Sequence, residues 1–203
     1  MSNKKLMEPR RFIFLDIDGV LNHESWYEYL HDNYTLEALR NMDFDEYNIS
    51  PISTQLLNQL QCCEVVISSS WFYEEKTVRG LNAAGLKLPI IGGTIHKSLH
   101  DKSLCRGNDI ARWFMENLDV EPPMDSYIER HGDTKWFHTK CHYDFVNGVE
   151  KFIQEKGDTP YTYVIFDDYN DMLFQQQNHF VHVDSQVGLT QSDIDKAKKI
   201  LNL

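Results

Sequence analysis

The run Phe12-Ile13-Phe14-Leu15-Asp16-Ile17-Asp18-Gly19-Val20-Leu21-Asn22 constrains the fold more than any other stretch of the 203 residues. Four apolar residues lead straight into two carboxylates two positions apart, and a glycine follows. A short continuous apolar run reads as a strand buried on both faces, as in a parallel sheet. The chain must turn at Gly19, so both carboxylates can reach the sheet's carboxyl end, where open α/β sheets place their ligands. Two aspartates crowded there repel each other unless a counter-charge is present, and the usual one is a hard cation bound through oxygen. Asp-Gly alone is a common turn signal. The whole string, from the apolar run through Asn22, is far more specific.

Strands and helices alternate along the rest of the chain. Ser50-Pro51 supplies an N-cap and a first helical position, and Ile52, Leu56, Leu57 and Leu60 give that helix an apolar face. Glu64–Ile67 reads as a second buried strand, ending in Ser68-Ser69-Ser70. The pattern predicts a helix over 71–84 closed by Gly85, then a short strand at Pro89–Gly93. Arg106 opens another helix, with Ile110, Trp113, Phe114 and Leu118 as its core face. A helix over 145–156 precedes a strand at Tyr163–Phe166, which runs into Asp167-Asp168. Phe180–Val183 is the last strand, and Thr190 with Asp193 forms a capping box for a final helix. This order argues for an α/β fold with a doubly wound, Rossmann-like parallel sheet. The expectation is a single domain over 1–203 with two interruptions. One is a polar, aromatic flap at 23–49 after the first strand. The other is an irregular insertion at 119–144, too short for a core of its own.

Composition narrows the function classes. A net charge of −11 disfavours a broad nucleic-acid-binding surface, because neutralising phosphates needs Lys and Arg. No stretch approaches a transmembrane length, and the N-terminus has no apolar signal region. Four cysteines, two of them the neighbours Cys62 and Cys63, do not make a secreted framework. The expectation is a reduced, cytoplasmic protein without a membrane partner; no protein partner can be inferred.

Three further groups of residues carry chemistry. Ser68-Ser69-Ser70 follows a buried strand and opens the predicted helix, where backbone N–H groups and hydroxyls make an anion site; the plainer reading is an ordinary N-cap. Arg106 sits at a helix start, where a cation opposes the helix dipole, so it is either there for an anion or a solvated surface charge. Asp167, Asp168 and Asp171 crowd the end of a buried strand. Oxygen-only ligands of that kind suit magnesium. His131, His138, Cys141 and His142 do not match a zinc spacing. Trp71, Phe72 and Tyr73 could stack on a base, but core packing fits their spacing better.

The string from Asp16 to Asn22 resembles motif I of the haloacid dehalogenase (HAD) superfamily of phosphotransferases. The resemblance implies that Asp16 is a nucleophile that takes a phosphoryl group and that Asp18 is a general acid and then a base. It also implies that Asp16 and the Asp18 carbonyl help to hold Mg2+. Ser68 then matches the phosphate-holding hydroxyl of motif II, with Ser69 its neighbour, and Asp167 and Asp168 match motif IV as further metal ligands, with Asp171 a weaker third. The motif III cation falls on Arg106. A long stretch separates it from Asp167, so Lys140 and Lys151 are alternatives. The sequences Asp-Gly-Val-Leu-Asn, Ser-Ser-Ser-Trp and Phe-Asp-Asp-x-x-Asp-Met are similar to HAD domains of Swiss Army Knife RNA-repair proteins. They are more distantly similar to the phosphatase half of phage polynucleotide kinase-phosphatases. The implied activity is a magnesium-dependent phosphomonoesterase acting through an aspartyl-phosphate. Its substrate would be a phosphorylated small molecule, a nucleotide or a nucleic-acid end. A catalytically idle binding module and a phosphotransferase to an acceptor other than water are the alternatives; the full set of acids argues against an idle site.

Overall fold

The structure is a computed structural model that describes residues 9–41, 48–94, 105–117 and 161–203. The insertion at 119–144, the predicted helix at 145–156, Lys140, Lys151 and the His131–His142 cluster lie outside the described residues.

Strands β1 (Arg10–Leu15), β2 (Glu64–Ile67), β3 (Ile90–Gly93), β4 (Tyr161–Asp167) and β5 (Phe180–His182) form one sheet in the order β3-β2-β1-β4-β5. Every pairing is parallel. The sheet is therefore the doubly wound, Rossmann-like arrangement that the alternation of elements predicts, with the opening apolar run as its central strand. The order reverses on either side of β1, and a reversal of that kind opens a crevice at the carboxyl ends of the strands.

The alternation of side chains along β1 divides the core into two layers. Ile13 and Leu15 join Val65, Ile67, Val164 and Phe166 on one face. Three helices cover it: α3 (Pro51–Leu57), α4 (Glu75–Ala83) and α6 (Gln191–Leu201), through Leu57, Leu81, Ile194, Ala197 and Leu201. Phe12 and Phe14 point the other way, with Val66, Tyr163 and Ile165, against Ile110, Trp113 and Phe114 of α5 (Arg106–Asn117). This second face is largely aromatic. Phe14 meets Phe114 and Trp113 edge-on, with ring centroids 5.1 and 5.3 Å apart, the offset that ring quadrupoles favour.

The ends of the helices follow the sequence where a local cap exists. The Ser50 side chain accepts from the Ser53 N–H, with Pro51 in the first turn, and Thr190 and Asp193 form the reciprocal capping box. One expectation changes. The helix expected from residue 71 begins at Glu75. Phe72 takes a positive φ of 58°, which a helix does not allow, and the Thr77 hydroxyl donates to the Trp71 carbonyl at 3.0 Å. The flap after β1 is largely helical in its described part, as α1 (Glu24–Asn33) and α2 (Leu36–Asn41). His23 caps α1 by accepting from the Trp26 N–H, and the N–H groups of Glu24 and Ser25 donate to the carbonyls of Ser185 and Gln186. The start of α1 is thereby tied to the loop after β5.

Phe114 should be a keystone of the aromatic layer, being 4 % exposed. Phe114→Ala is expected to lower unfolding free energy by about 3–5 kcal/mol. Ile52→Ala, at a side chain 65 % exposed, should stay within about 0.5 kcal/mol. Urea denaturation of the two variants checks the contrast.

Candidate active site

The register of the sheet assembles the site. Leu15 lies opposite both Ile67 and Phe166, so Asp16, Ser68 and Asp167 are the next residues on three neighbouring strands. The Asp16 N–H donates to the Phe166 carbonyl at 3.0 Å and the Ser68 N–H to the Leu15 carbonyl at 2.8 Å, which holds this row level. Carboxylate oxygens of Asp16, Asp167 and Asp168 lie within 4.8 Å of one another. Asp16, Asp18 and Asp168 line a cavity of about 510 Å³ together with Arg106, Ser70 and Tyr27.

Arg106 is the cation inside this group. Its guanidinium approaches Asp16 Oδ2 through Nη2 and Asp167 Oδ2 through Nε, each at 3.8 Å, and Nη1 donates to the Ser68 carbonyl. The unfavourable position of a cation at a helix start is met from outside the helix. The Asp171 carboxylate accepts from the Arg106 backbone N–H at 3.0 Å. Gln176 is buried, and its amide donates to the Gly107 carbonyl at 2.9 Å, with no room for a Cβ at Gly107. Asp171 thus caps α5 and does not join the three-carboxylate group.

Burial shapes the electrostatics. Removal from water pushes the Asp16 carboxyl up to about 6, opposed first by Arg106 and then by the Ser69 hydroxyl and the Ile17 N–H. Asp167 is pushed up to about 8 by burial and by the charge of Asp16, again against Arg106. Burial also raises Asp168. Asp167 Oδ2 is buried without a hydrogen-bond partner. An oxygen-only set of three acids, one with an orphaned oxygen, fits a hard divalent cation.

Asp18 lies on the rim of this group and, among the described residues, is held by three donors. Asn22 Nδ2 donates to Oδ1 at 2.7 Å, Trp71 Nε1 to Oδ1 at 2.9 Å, and the Ser70 hydroxyl to Oδ2 at 3.1 Å. Gly19 makes the turn that carries Asp18 past the strand end. Its φ is +73°, and a Cβ there would sit 2.5 Å from the Asp168 carboxyl carbon, so glycine is required on both counts.

The serines divide differently from the sequence expectation. Ser68 and Ser69 are buried at the strand end, with the Ser68 hydroxyl 3.5 Å from that of Thr94, while Ser70 lines the cavity. They do not open the following helix, because α4 starts at Glu75. Trp71 packs only in part against the core, and Phe72 and Tyr73 are 40 and 51 % exposed, so the three aromatics are not the core block that their spacing implied. The sequence grouped Ser70 with the anion site but not with Asp18, and it marked neither the role of Asn22 nor the capping of α5 by Asp171. The signal for Asn22 was inside the opening string; the other two depend on contacts between distant segments.

An apolar strand that delivers Asp16-x-Asp18 to a topological switch point, with acids from the neighbouring strand and an arginine between them, defines the site. The chain belongs to the family of HAD domains in Swiss Army Knife RNA repair proteins, whose family model matches residues 12–138. No match was found among curated proteins or among solved structures. The matched stretch contains Asp16, Asp18, the serines and Arg106 and stops before β4, so Asp167 and Asp168 enter the site on geometry. Membership places the chain in a superfamily of hydrolases and phosphotransferases. Among the described residues no helix is long and apolar enough to cross a membrane.

Raised carboxyls have a readable consequence. Between the ordinary value of 3.8 and about 8, folded Asp16 and Asp167 hold more protons than the unfolded chain does. Their contribution to stability is therefore full below 3.8 and is lost as pH rises through about 6 and then about 8. A divalent cation binds the ionised forms and opposes that loss. The Tm of metal-free protein should fall between about pH 5 and about pH 8, and added Mg2+ should raise Tm more at the higher pH. Scanning calorimetry at both values, with and without Mg2+, measures this.

Proposed function

We propose that the protein is a magnesium-dependent phosphomonoesterase working through a phosphorylated Asp16. The observation that carries this reading is the setting of the Asp16 carboxylate. It lines an open cavity, stands 3.8 Å from the Arg106 guanidinium and belongs to a three-carboxylate group. A nucleophilic carboxylate splits one hard displacement at phosphorus into two easier ones. Asp16 attacks, and Asp18 gives a proton to the leaving oxygen and then takes one from the water that releases phosphate. Arg106 offsets the charge of Asp16 and of the incoming phosphoryl group. Ser70 lines the cavity and meets the phosphoryl oxygens first, with the hydroxyls of Ser68 and Ser69 buried behind it at the strand end. Asp16, Asp167, Asp168 and the Asp18 carbonyl would hold Mg2+, which supplies neutralisation of phosphoryl charge when bound.

For a substrate the reading takes a phosphorylated small molecule, a nucleotide or the phosphorylated end of a nucleic acid. The family's connection with RNA repair favours the last two. The net charge of −11 favours a short end over a long polynucleotide track. A reduced, cytoplasmic setting accords with the free thiols Cys62, Cys63 and Cys105.

Hydrolysis of an aryl phosphate tests the reading. Turnover should need Mg2+, stop with EDTA, and fall at least about a thousandfold in Asp16→Asn, as removal of a nucleophile does. Turnover that survives both EDTA and the substitution sinks it. Comparison of 3′- and 5′-phosphorylated oligonucleotides with mononucleotides and sugar phosphates then assigns the substrate class.

A further inference from the structure

We propose that Trp71 is a positioning residue that decides which oxygen of Asp18 carries the transferable proton. The inference rests on the phosphomonoesterase reading and goes beyond it. Asp18 Oδ1 accepts from two groups, Asn22 Nδ2 at 2.7 Å and Trp71 Nε1 at 2.9 Å. The orientation of the Asn22 amide is fixed, because its Oδ1 accepts from the Gly19 N–H at 3.0 Å. An amide NH2 and an indole N–H can only donate, so a proton on Oδ1 would face two donors. Among the described residues Oδ2 meets only the Ser70 hydroxyl, at 3.1 Å. A hydroxyl donates or accepts as required, so it serves Oδ2 in both protonation states. The proton therefore belongs on Oδ2, on the side of Ser70, which lines the cavity.

The loop that delivers Trp71 contains a strained turn. Phe72 holds a positive φ of 58°, which is unfavourable for a bulky side chain, and it is 40 % exposed. Trp71 is fixed at both backbone ends. Its N–H donates to Ser69 Oγ at 3.4 Å, and its carbonyl accepts from the buried Thr77 hydroxyl at 3.0 Å. Under the loop, a Cβ on Gly93 would lie 2.6 Å from Tyr73 Cβ, so the end of β3 forms a close seat for it. What this arrangement delivers to Asp18 is a donor-only indole.

The step balances without a co-reactant. As the Asp16–phosphorus bond forms and the bond from phosphorus to the leaving oxygen breaks, the proton on Asp18 Oδ2 moves to that oxygen. The Ser70 hydroxyl then turns from acceptor to donor on the ionised Oδ2. Water later returns a proton to Oδ2 as it displaces phosphate from Asp16.

The test compares two esters in kcat/KM, which reports only the steps up to loss of the leaving group and not the shared breakdown of the phosphorylated enzyme. An alkyl leaving oxygen needs a proton and 4-nitrophenolate does not. Trp71→Phe should lower kcat/KM about tenfold or more for an alkyl phosphate and less than about threefold for 4-nitrophenyl phosphate. Ser70→Ala should show the same selective loss. A readout independent of turnover and of the folding of Trp71→Phe is the indole 15N–H spectrum of the wild type, which carries four tryptophans. One indole proton should move upfield in Asp18→Ala. Equal losses on both esters, no loss on either, or an unmoved indole signal, with the wild type active, overturns the role of Trp71 alone. A wild type inert on both esters removes the phosphomonoesterase reading and this role together.

Discussion

The arrangement depends on holding two carboxylates out of water on adjacent strands. Asp16 and Asp167 are 3 and 1 % exposed, and each buried, unbalanced charge costs several kcal/mol even after relaxation. The Arg106 guanidinium lies between them, and much of the surrounding structure exists to keep it there. Asp171 holds the start of α5, Gln176 holds the next peptide, and the absence of a Cβ at Gly107 lets that contact close. One guanidinium does not balance three acids. The remaining acids, with an Asp167 oxygen that has no hydrogen-bond partner among the described residues, give the group the oxygen-only donor set that suits a hard cation.

Most of the sheet was legible because strands buried on both faces write themselves as unbroken apolar runs. Phe12–Leu15 and Tyr163–Phe166 needed no context, and parallel pairing then set Asp16 and Asp167 level with each other. Arg106 stood out for a different reason, a cation at a helix start that contradicts the local dipole; the sequence left a surface charge, Lys140 and Lys151 open beside it, and the structure sets its guanidinium 3.8 Å from Asp16 and Asp167. The loop after β2 was not legible. Three serines after a strand look like a helix cap, and nothing in the sequence announces that Phe72 will adopt a conformation that suits glycine or asparagine far better. Without that turn Trp71 reads as one more apolar residue. The capping of α5 by Asp171 was equally hidden, since it joins residues on two separate elements and leaves no local pattern.

The flap after β1 shows the same division. Its aromatic residues mark it as unusual in sequence, but its helical form depends on His23 as a cap and on carbonyls of Ser185 and Gln186 from the far end of the chain. Two loops that are distant in sequence, after β1 and after β5, are therefore one structural unit beside the cavity. Asp18 is shared in a comparable way. Asn22 holds it from its own loop, and Ser70 and Trp71 hold it from the loop after β2.

The strand order has a consequence for how the protein comes into being. A ribosome delivers β1, β2 and β3 early, and these can pair among themselves. The central strand then waits with one edge open until β4 is made, and pairing across so long a span is entropically slow. Until it closes, Asp16 has no Asp167 beside it, and the three-carboxylate group does not exist. The nascent chain is thus spared an early cluster of crowded acids. The pairing of β4 with β1 brings the acids together, before β5 joins the far edge of β4.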